Sequence, residues 1–224
     1  MPFAGALPQA ATAADRARQR TWVAAGVLLV LSALVGLVAR GTLVVIHPAG
    51  DWLFAVGAIL FVIGIGRSGS VTGRRFVGTA ATILLAVAPM TQALWAAFVP
   101  GEEVNRNTVE DISALVAIVY YGTVFVLAIV SVVQIARARV LPSPWRWAPA
   151  WVMVWTILTV GIGLNLFGSA PLGSTVAVLG SVLVIYGPAA GVMFLGILGI
   201  VLGSRRAHDR LNIGADTGDG ADTE

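Results

Sequence analysis

The fold is decided by an uncharged stretch in the second half of the chain, residues 147–204, which reads WAPAWVMVWTILTVGIGLNLFGSAPLGSTVAVLGSVLVIYGPAAGVMFLGILGIVLGS. It contains no Asp, Glu, Lys or Arg, and its only break is the turn-rich piece GSAPLGS at 168–174. About 20 consecutive apolar residues are enough for a helix to cross the hydrocarbon core of a membrane. The stretch therefore predicts two membrane-spanning helices joined by a short loop.

The rest of the chain predicts four more spans. Hydrophobic residues make up 58% of the sequence and charged residues 11%, whereas about a quarter of a soluble domain is charged. We place the spans at 22–46, 48–66, 76–99, 112–136, 147–167 and 175–203. Residues 1–21 then form a cytoplasmic leader, and 205–224 form a cytoplasmic tail that is too polar to fold. The predicted fold class is all-α, a polytopic bundle of six transmembrane helices.

The distribution of arginine supports six spans, because cytoplasmic loops carry the excess of positive charge. All 14 basic residues are Arg, and six spans put 12 of them on one side of the membrane. The opposite side keeps only Arg40 and Arg106, together with five acidic residues. We therefore expect both termini in the cytoplasm. The absence of lysine, with heavy use of Ala, Val and Gly, suggests a bacterial cytoplasmic membrane.

Several classes of function are disfavoured by residues that the chain lacks. It has no cysteine, and its two histidines, His47 and His208, fall on opposite sides of the predicted membrane. No Asp, Glu or His lies in the middle of a span, and there is no P-loop, G-x-S-x-G or H-E-x-x-H motif. We expect no metal, no cofactor and no enzymatic activity. The pI near 10.2 follows from the loop arginines, so we expect no nucleic-acid partner.

Two prolines lie near the middle of predicted spans, and we expect each of them to kink its helix. Pro89 and Pro188 each fall 13 residues after the first residue of their span. An inverted repeat of two three-span halves is one explanation of this match, and coincidence is the other. A kink at Pro89 could open a polar pocket, or it could serve packing alone with one interhelical hydrogen bond from Gln92. The candidate pocket lining is Gln92, Thr91, Asn165, Tyr120, Tyr121 and Tyr186.

The sixth span carries two pairs of glycines at four-residue spacing, Gly187 with Gly191 and Gly199 with Gly203. Small residues four apart lie on one helix face and allow the backbones of two helices to approach closely. The pattern predicts that the sixth span packs at the centre of the bundle. A homodimer face is the alternative interpretation.

The fifth span has a Trp stripe, defined by Trp147, Trp151 and Trp155, which repeats every four residues on one face. Such a stripe is typical of an anchor at the membrane interface that continues into packing or lipid contact. The alternative is an aromatic groove that holds a lipid tail or a cation.

A group of polar and charged residues, Arg40, His47 and Asp51, surrounds the first predicted outer loop. Arg40 is close enough to the end of its span to extend its charge to the membrane surface. We interpret the cluster as an arginine whose charge reaches the membrane surface and which is weakly paired with the carboxylate of Asp51. The more specific alternative is a site that binds a proton or an anion.

Together these features favour a non-enzymatic accessory or scaffold protein. Close-packing glycine faces without an ionisable core suggest that it binds lipid, a membrane-protein partner or a second copy of itself. The alternative is a facilitator or channel for a small neutral or lipophilic solute, which the paired prolines and the candidate polar lining would serve.

The arginine distribution generates a topology prediction. Because 12 Arg lie on one face, reporters fused after Gly203 and within residues 101–107 should report opposite sides of the membrane, with the Gly203 fusion cytoplasmic. Alkaline phosphatase and green fluorescent protein fusions measure this directly. Two fusions on the same side would contradict the six-span arrangement.

Overall fold

The computed structural model of the protein describes residues 6–41, 47–64, 76–98, 106–138, 145–171 and 173–216. The helices are α1 (Ala6–Gly41), α2 (His47–Ile63), α3 (Phe76–Val87), α4 (Gln92–Ala96), α5 (Arg106–Ala138), α6 (Ala148–Ser169) and α7 (Thr175–Asp216). Single 3-10 turns precede α4 at Ala88–Thr91 and α6 at Trp145–Trp147. The prediction of an all-helical chain is confirmed.

Four helices are long and apolar enough to cross a membrane. Their apolar segments are Arg16–Ala39, Thr108–Ala138, Trp145–Ser169 and Thr175–Ser204. The second and third predicted spans appear as shorter apolar helices, Pro48–Ile63 and Phe76–Thr91. The large side chains on these helices mostly point away from the bundle, since Phe76, Trp52 and Ile118 are 85%, 62% and 69% exposed.

Several boundaries differ from those drawn on the sequence, and α5 begins at Arg106, before the expected start at residue 112. The third predicted span is interrupted, because Pro89 lacks the N–H that would continue the helical hydrogen bonds, and α3 ends at Val87 before the 3-10 turn. In contrast, α7 passes through Pro188 as one uninterrupted helix. It also continues to Asp216, beyond the point at which we expected the tail to begin. Likewise α1 begins at Ala6, inside the expected leader.

The helices pack in chain order, and the last one returns to the first. α7 lies between α6 and α1, α1 packs on α2, α2 on α3, and α3 on α5. The weakest of these junctions is the one between α5 and α6. The ends of the chain are therefore held together through α1 and α7, and α7 has close neighbours on two sides.

The interior is built from small residues. Nine of the twelve buried hydrophobic residues in the described chain are alanine, and the largest fully buried side chain is Thr21. Small side chains let helix backbones approach closely, which is the main source of helix association in a lipid environment. Trp22 is an exception, because it is 4% exposed and packs edge-on against Phe61 of α2.

Two reciprocal glycine pairs hold α7 against its neighbours. A β-carbon added to Gly26 of α1 would lie 2.5 Å from the carbonyl oxygen of Gly196, and one added to Gly196 would lie 2.7 Å from that of Gly26. Gly163 of α6 and Gly180 of α7 form the second pair, with corresponding distances of 2.7 and 2.6 Å. Because these neighbours are backbone atoms, only glycine fits without moving a helix.

The four glycines singled out on the sequence all lie at close helix contacts of α7. Gly187 is covered by Thr159, and a β-carbon on Gly191 would lie 2.8 Å from Cγ1 of Val152, both on α6. A β-carbon added to Gly199 would lie 2.5 Å from the Phe61 ring, and one added to Gly203 would lie 3.1 Å from Cγ2 of Val23. α7 therefore uses glycine against α6 in its first half and against α1 and α2 in its second half.

The Gly163 contact generates a stability prediction with a control on the same helix. We expect Gly163→Ala to lower the free energy of unfolding by about 1–3 kcal/mol, as overpacking does in other cores. Gly161→Ala should have little effect, because nothing lies within 4 Å of a β-carbon there. Both changes alter helix propensity equally, so the difference in thermal melting in detergent isolates the contact. Equal melting temperatures would contradict the packing of α6 on α7.

Candidate functional site

A groove of about 360 Å³ opens on the bundle surface between α6 and α7. Its walls are almost entirely apolar. The lining residues are Trp151, Val152 and Trp155 from α6 and Ala190, Gly191 and Phe194 from α7. This groove combines a concave shape with aromatic walls, and we take it as the candidate binding site.

Side-chain sizes explain why a groove forms at this point. Trp151 and Trp155 are four residues apart, so they lie on the same face of α6. On the facing part of α7, Ala190 and Gly191 present almost no side chain, which leaves a low floor. The tryptophans are too large to enter the tight α6–α7 contact, and they remain 70% and 49% exposed at its edge.

A hydrogen bond fixes one wall of the groove. The indole N–H of Trp155 donates to the carbonyl oxygen of Gly187 over 2.9 Å. This bond satisfies the one polar group of the ring, next to Pro188 in α7. The remaining surface of the ring is apolar and faces the groove, which suits a hydrocarbon chain better than a polar ligand.

The predicted polar lining is only partly gathered. Tyr120 donates its hydroxyl to the carbonyl oxygen of Ala88 over 3.0 Å, and Thr91 donates to the same oxygen over 2.8 Å. Both bonds lie at the break caused by Pro89, where backbone groups leave the regular helical pattern. The break is thus linked to α5 by an interhelical hydrogen bond and is not left open.

Aromatic rings surround this polar contact. Trp95 and Tyr121 meet the Tyr120 ring edge-on, at centroid distances of 5.7 and 5.1 Å. The carboxylate of Asp51 on α2 is close enough to Tyr120 to interact electrostatically. We call this group of Tyr120, Thr91, Trp95 and Asp51 around the Ala88 carbonyl the Tyr120 cluster.

The other candidate polar residues do not complete a lining. Gln92 directly follows Thr91 of the Tyr120 cluster, but its side chain is exposed in the first turn of α4. Asn165 on α6 and Tyr186 on α7 are also exposed, and they lie on other helices than the cluster. The side chains of Arg40 and His47, which we had grouped with Asp51, lie outside the described residues.

The four buried polar residues of the described chain are all hydrogen-bonded. Thr21, Ser131 and Thr159 donate to carbonyls of their own helices, and Ser32 donates to the Gly50 carbonyl across the α1–α2 contact. No group of three or more metal-ligating side chains occurs in the part of the chain that the structure describes.

Sequence reasoning found one wall of the groove and missed the other. The Trp stripe was visible from its four-residue spacing, although only Trp151 and Trp155 line the groove. Val152, Ala190 and Phe194 carry no signal of their own, because they become a wall only when α6 and α7 pack together. Gly26 and Gly163 were missed because neither belongs to a glycine pair spaced by four residues.

Comparison with protein-family models, with curated proteins and with solved structures finds no significant match to this chain. Function therefore has to be argued from the geometry of the α6–α7 groove and the Tyr120 cluster.

The Tyr120 cluster generates a prediction about stability. Tyr120→Phe should lower the free energy of unfolding by about 0.6 kcal/mol, the average for an interhelical hydrogen bond in a membrane protein. Tyr121→Phe is the control, because its ring is 60% exposed and adjoins the same site. Thermal melting in detergent compares the two variants. A Tyr121→Phe variant that melts as low as Tyr120→Phe would argue against the hydrogen bond to Ala88.

Proposed function

We propose that this chain is a six-span integral protein of a bacterial cytoplasmic membrane, with both termini in the cytoplasm. The four long apolar helices supply four spans. α2 has 17 residues, about 26 Å at 1.5 Å per residue, which is near the lower limit for a crossing. α3, the 3-10 turn and α4 together supply the remaining span. The loop arginines support this count, since omitting α2 would put Arg67, Arg74 and Arg75 outside the membrane.

Within that membrane, we propose that the protein is a non-enzymatic accessory protein which binds a membrane lipid in the α6–α7 groove. The single observation that carries the proposal is the groove itself, with its aromatic wall from α6 and its low floor on α7. A non-enzymatic function is favoured by spans without an acid or histidine at their centre and by the absence of the usual catalytic motifs.

The walls of the groove suit a lipid chain. A thin, extended hydrocarbon chain can lie along the aromatic and aliphatic side chains that line it. The apolar lining also offers almost nothing to a polar solute.

A lipid-retention experiment tests this function. Ala190 is exposed and lines the groove, so Ala190→Phe should fill it without disturbing the bundle. We expect the variant to retain several-fold less co-purified phospholipid per protein, measured by quantitative mass spectrometry after exchange into detergent. Ala114→Phe is the control, because Ala114 is equally exposed but lies on α5. Unchanged retention in Ala190→Phe would refute the groove as the lipid site.

A facilitator for a small neutral or lipophilic solute is the second candidate function. Its supporting observation is the break at Pro89, where the hydroxyls of Tyr120 and Thr91 both donate to the Ala88 carbonyl. A small rotation of Tyr120 would release that carbonyl to a passing solute. Uptake of uncharged solutes into proteoliposomes tests it, and transport that survives Tyr120→Ala would exclude this route.

A further inference from the structure

Trp155 of α6 contacts α7 on both sides of Pro188. Its indole N–H donates to the carbonyl oxygen of Gly187, the residue before the proline. Its Cδ1 atom would lie 3.7 Å from a β-carbon added to Gly191, three residues after the proline. The same side chain forms a wall of the α6–α7 groove. One residue of α6 therefore touches both the groove and the turn of α7 that contains the proline.

The proline makes this turn the weakest point of α7. Pro188 has no N–H, so the carbonyl four residues earlier, at Val184, loses its helical donor. Proline is one of the few features at which a helix bends sharply. α7 is unbroken here, so a change in the angle between its two parts is concentrated at Pro188.

The closest contacts of α7 change partner across this turn. Before Pro188 they are made with α6, as at Gly180, and beyond the groove they are made with α1 and α2, as at Gly196 and Gly199. A change of angle therefore moves α6 and the first part of α7 relative to α1. Pro188 lies 13 residues after Thr175, about 20 Å along the helix, so a change of about 20° moves the Thr175 end by about 7 Å.

A hydrocarbon chain in the groove favours one position of Trp155. The hydrogen bond to Gly187 holds the indole ring at the edge of the groove, where the ring supplies one wall. A ring released from this bond no longer fixes that wall. Interhelical hydrogen bonds in membranes are weak, so the contacts of one bound chain are enough to shift the balance. A ligand that binds one of two conformations raises the population of that conformation.

We propose that the protein senses membrane lipid through Trp155. A phospholipid acyl chain in the α6–α7 groove favours the hydrogen-bonded position of Trp155, and this bond fixes the angle of α7 at Pro188. Occupation of the groove thereby sets the orientation of α6 relative to α1. This inference rests on the proposed lipid-binding function and adds the conformational change that the lipid produces.

The test measures the distance between α6 and α1 with and without lipid. The chain has no cysteine, so Leu164→Cys on α6 and Val38→Cys on α1, which are both exposed, take spin labels for pulsed electron paramagnetic resonance. The delipidated full chain in detergent is titrated with dioleoyl-phosphatidylethanolamine, and native mass spectrometry counts the bound lipid. Lipid should narrow the distance distribution and shift it by several ångströms. A control pair, Val27→Cys on α1 and Ile63→Cys on α2, should show no shift.

Matched substitutions isolate the hydrogen bond. Trp155→Phe and Trp151→Phe each remove part of the aromatic wall, so both should weaken lipid binding. Trp155→Phe also removes the donor to Gly187. At saturating lipid it should lose most of the distance shift, whereas Trp151→Phe should keep it. Pro188→Ala restores the helical donor, so this variant should bind lipid without the shift.

The outcomes separate this inference from the function on which it rests. Bound lipid without a distance change in the wild type would overturn the inference and leave the groove as a lipid site. Equal loss of the shift in Trp151→Phe and Trp155→Phe would also overturn it, because the ring area and not the bond to Gly187 would then carry the change. Retention of no lipid by the wild type would refute the lipid-binding function and the inference with it.

Discussion

Close backbone contact at glycine is the interaction on which the rest of this structure depends. In lipid, helices gain little from burying apolar side chains, so their association rests on van der Waals packing and hydrogen bonds. α7 meets that requirement on two sides, through Gly180 against Gly163 of α6 and through Gly196 against Gly26 of α1. These contacts join α6 and α7 to α1, so the first and last helices pack against each other.

The same contacts explain the surface of the protein. Helices that approach this closely have room only for alanine, glycine and hydroxyl side chains between them, so large apolar residues are turned outward. Trp151 and Trp155 belong to the residues that cannot enter the α6–α7 contact. They stand at its edge, where the low floor at Gly191 leaves space beside them. The groove is therefore a direct consequence of tight packing next to bulky aromatic residues.

Local features of the structure could be predicted from the sequence, and contacts between distant residues could not. Uncharged runs identified the helices, and four-residue spacing identified four glycines of α7, because both signals are local. The reciprocal pairs Gly26–Gly196 and Gly163–Gly180 could not be identified, because their members are distant in sequence and none belongs to a four-residue pattern. The Tyr120 bond to Ala88 joins residues 32 positions apart, so it depends on how α3 and α5 pack.

Disulfide trapping between α1 and α7 tests the central claim most directly, and the absence of native cysteine makes the background clean. A β-carbon at Gly203 would lie 3.1 Å from Cγ2 of Val23, which brings the two β-carbons to within about 4.5 Å, the range of a disulfide. Val23→Cys with Gly203→Cys should therefore crosslink on mild oxidation in native membranes. After cleavage at a protease site inserted within residues 139–144, the two fragments should migrate as one band without reductant and separate with it. Fragments that separate without reductant, while both cysteines remain reactive to a maleimide, would contradict the packing of α7 on α1.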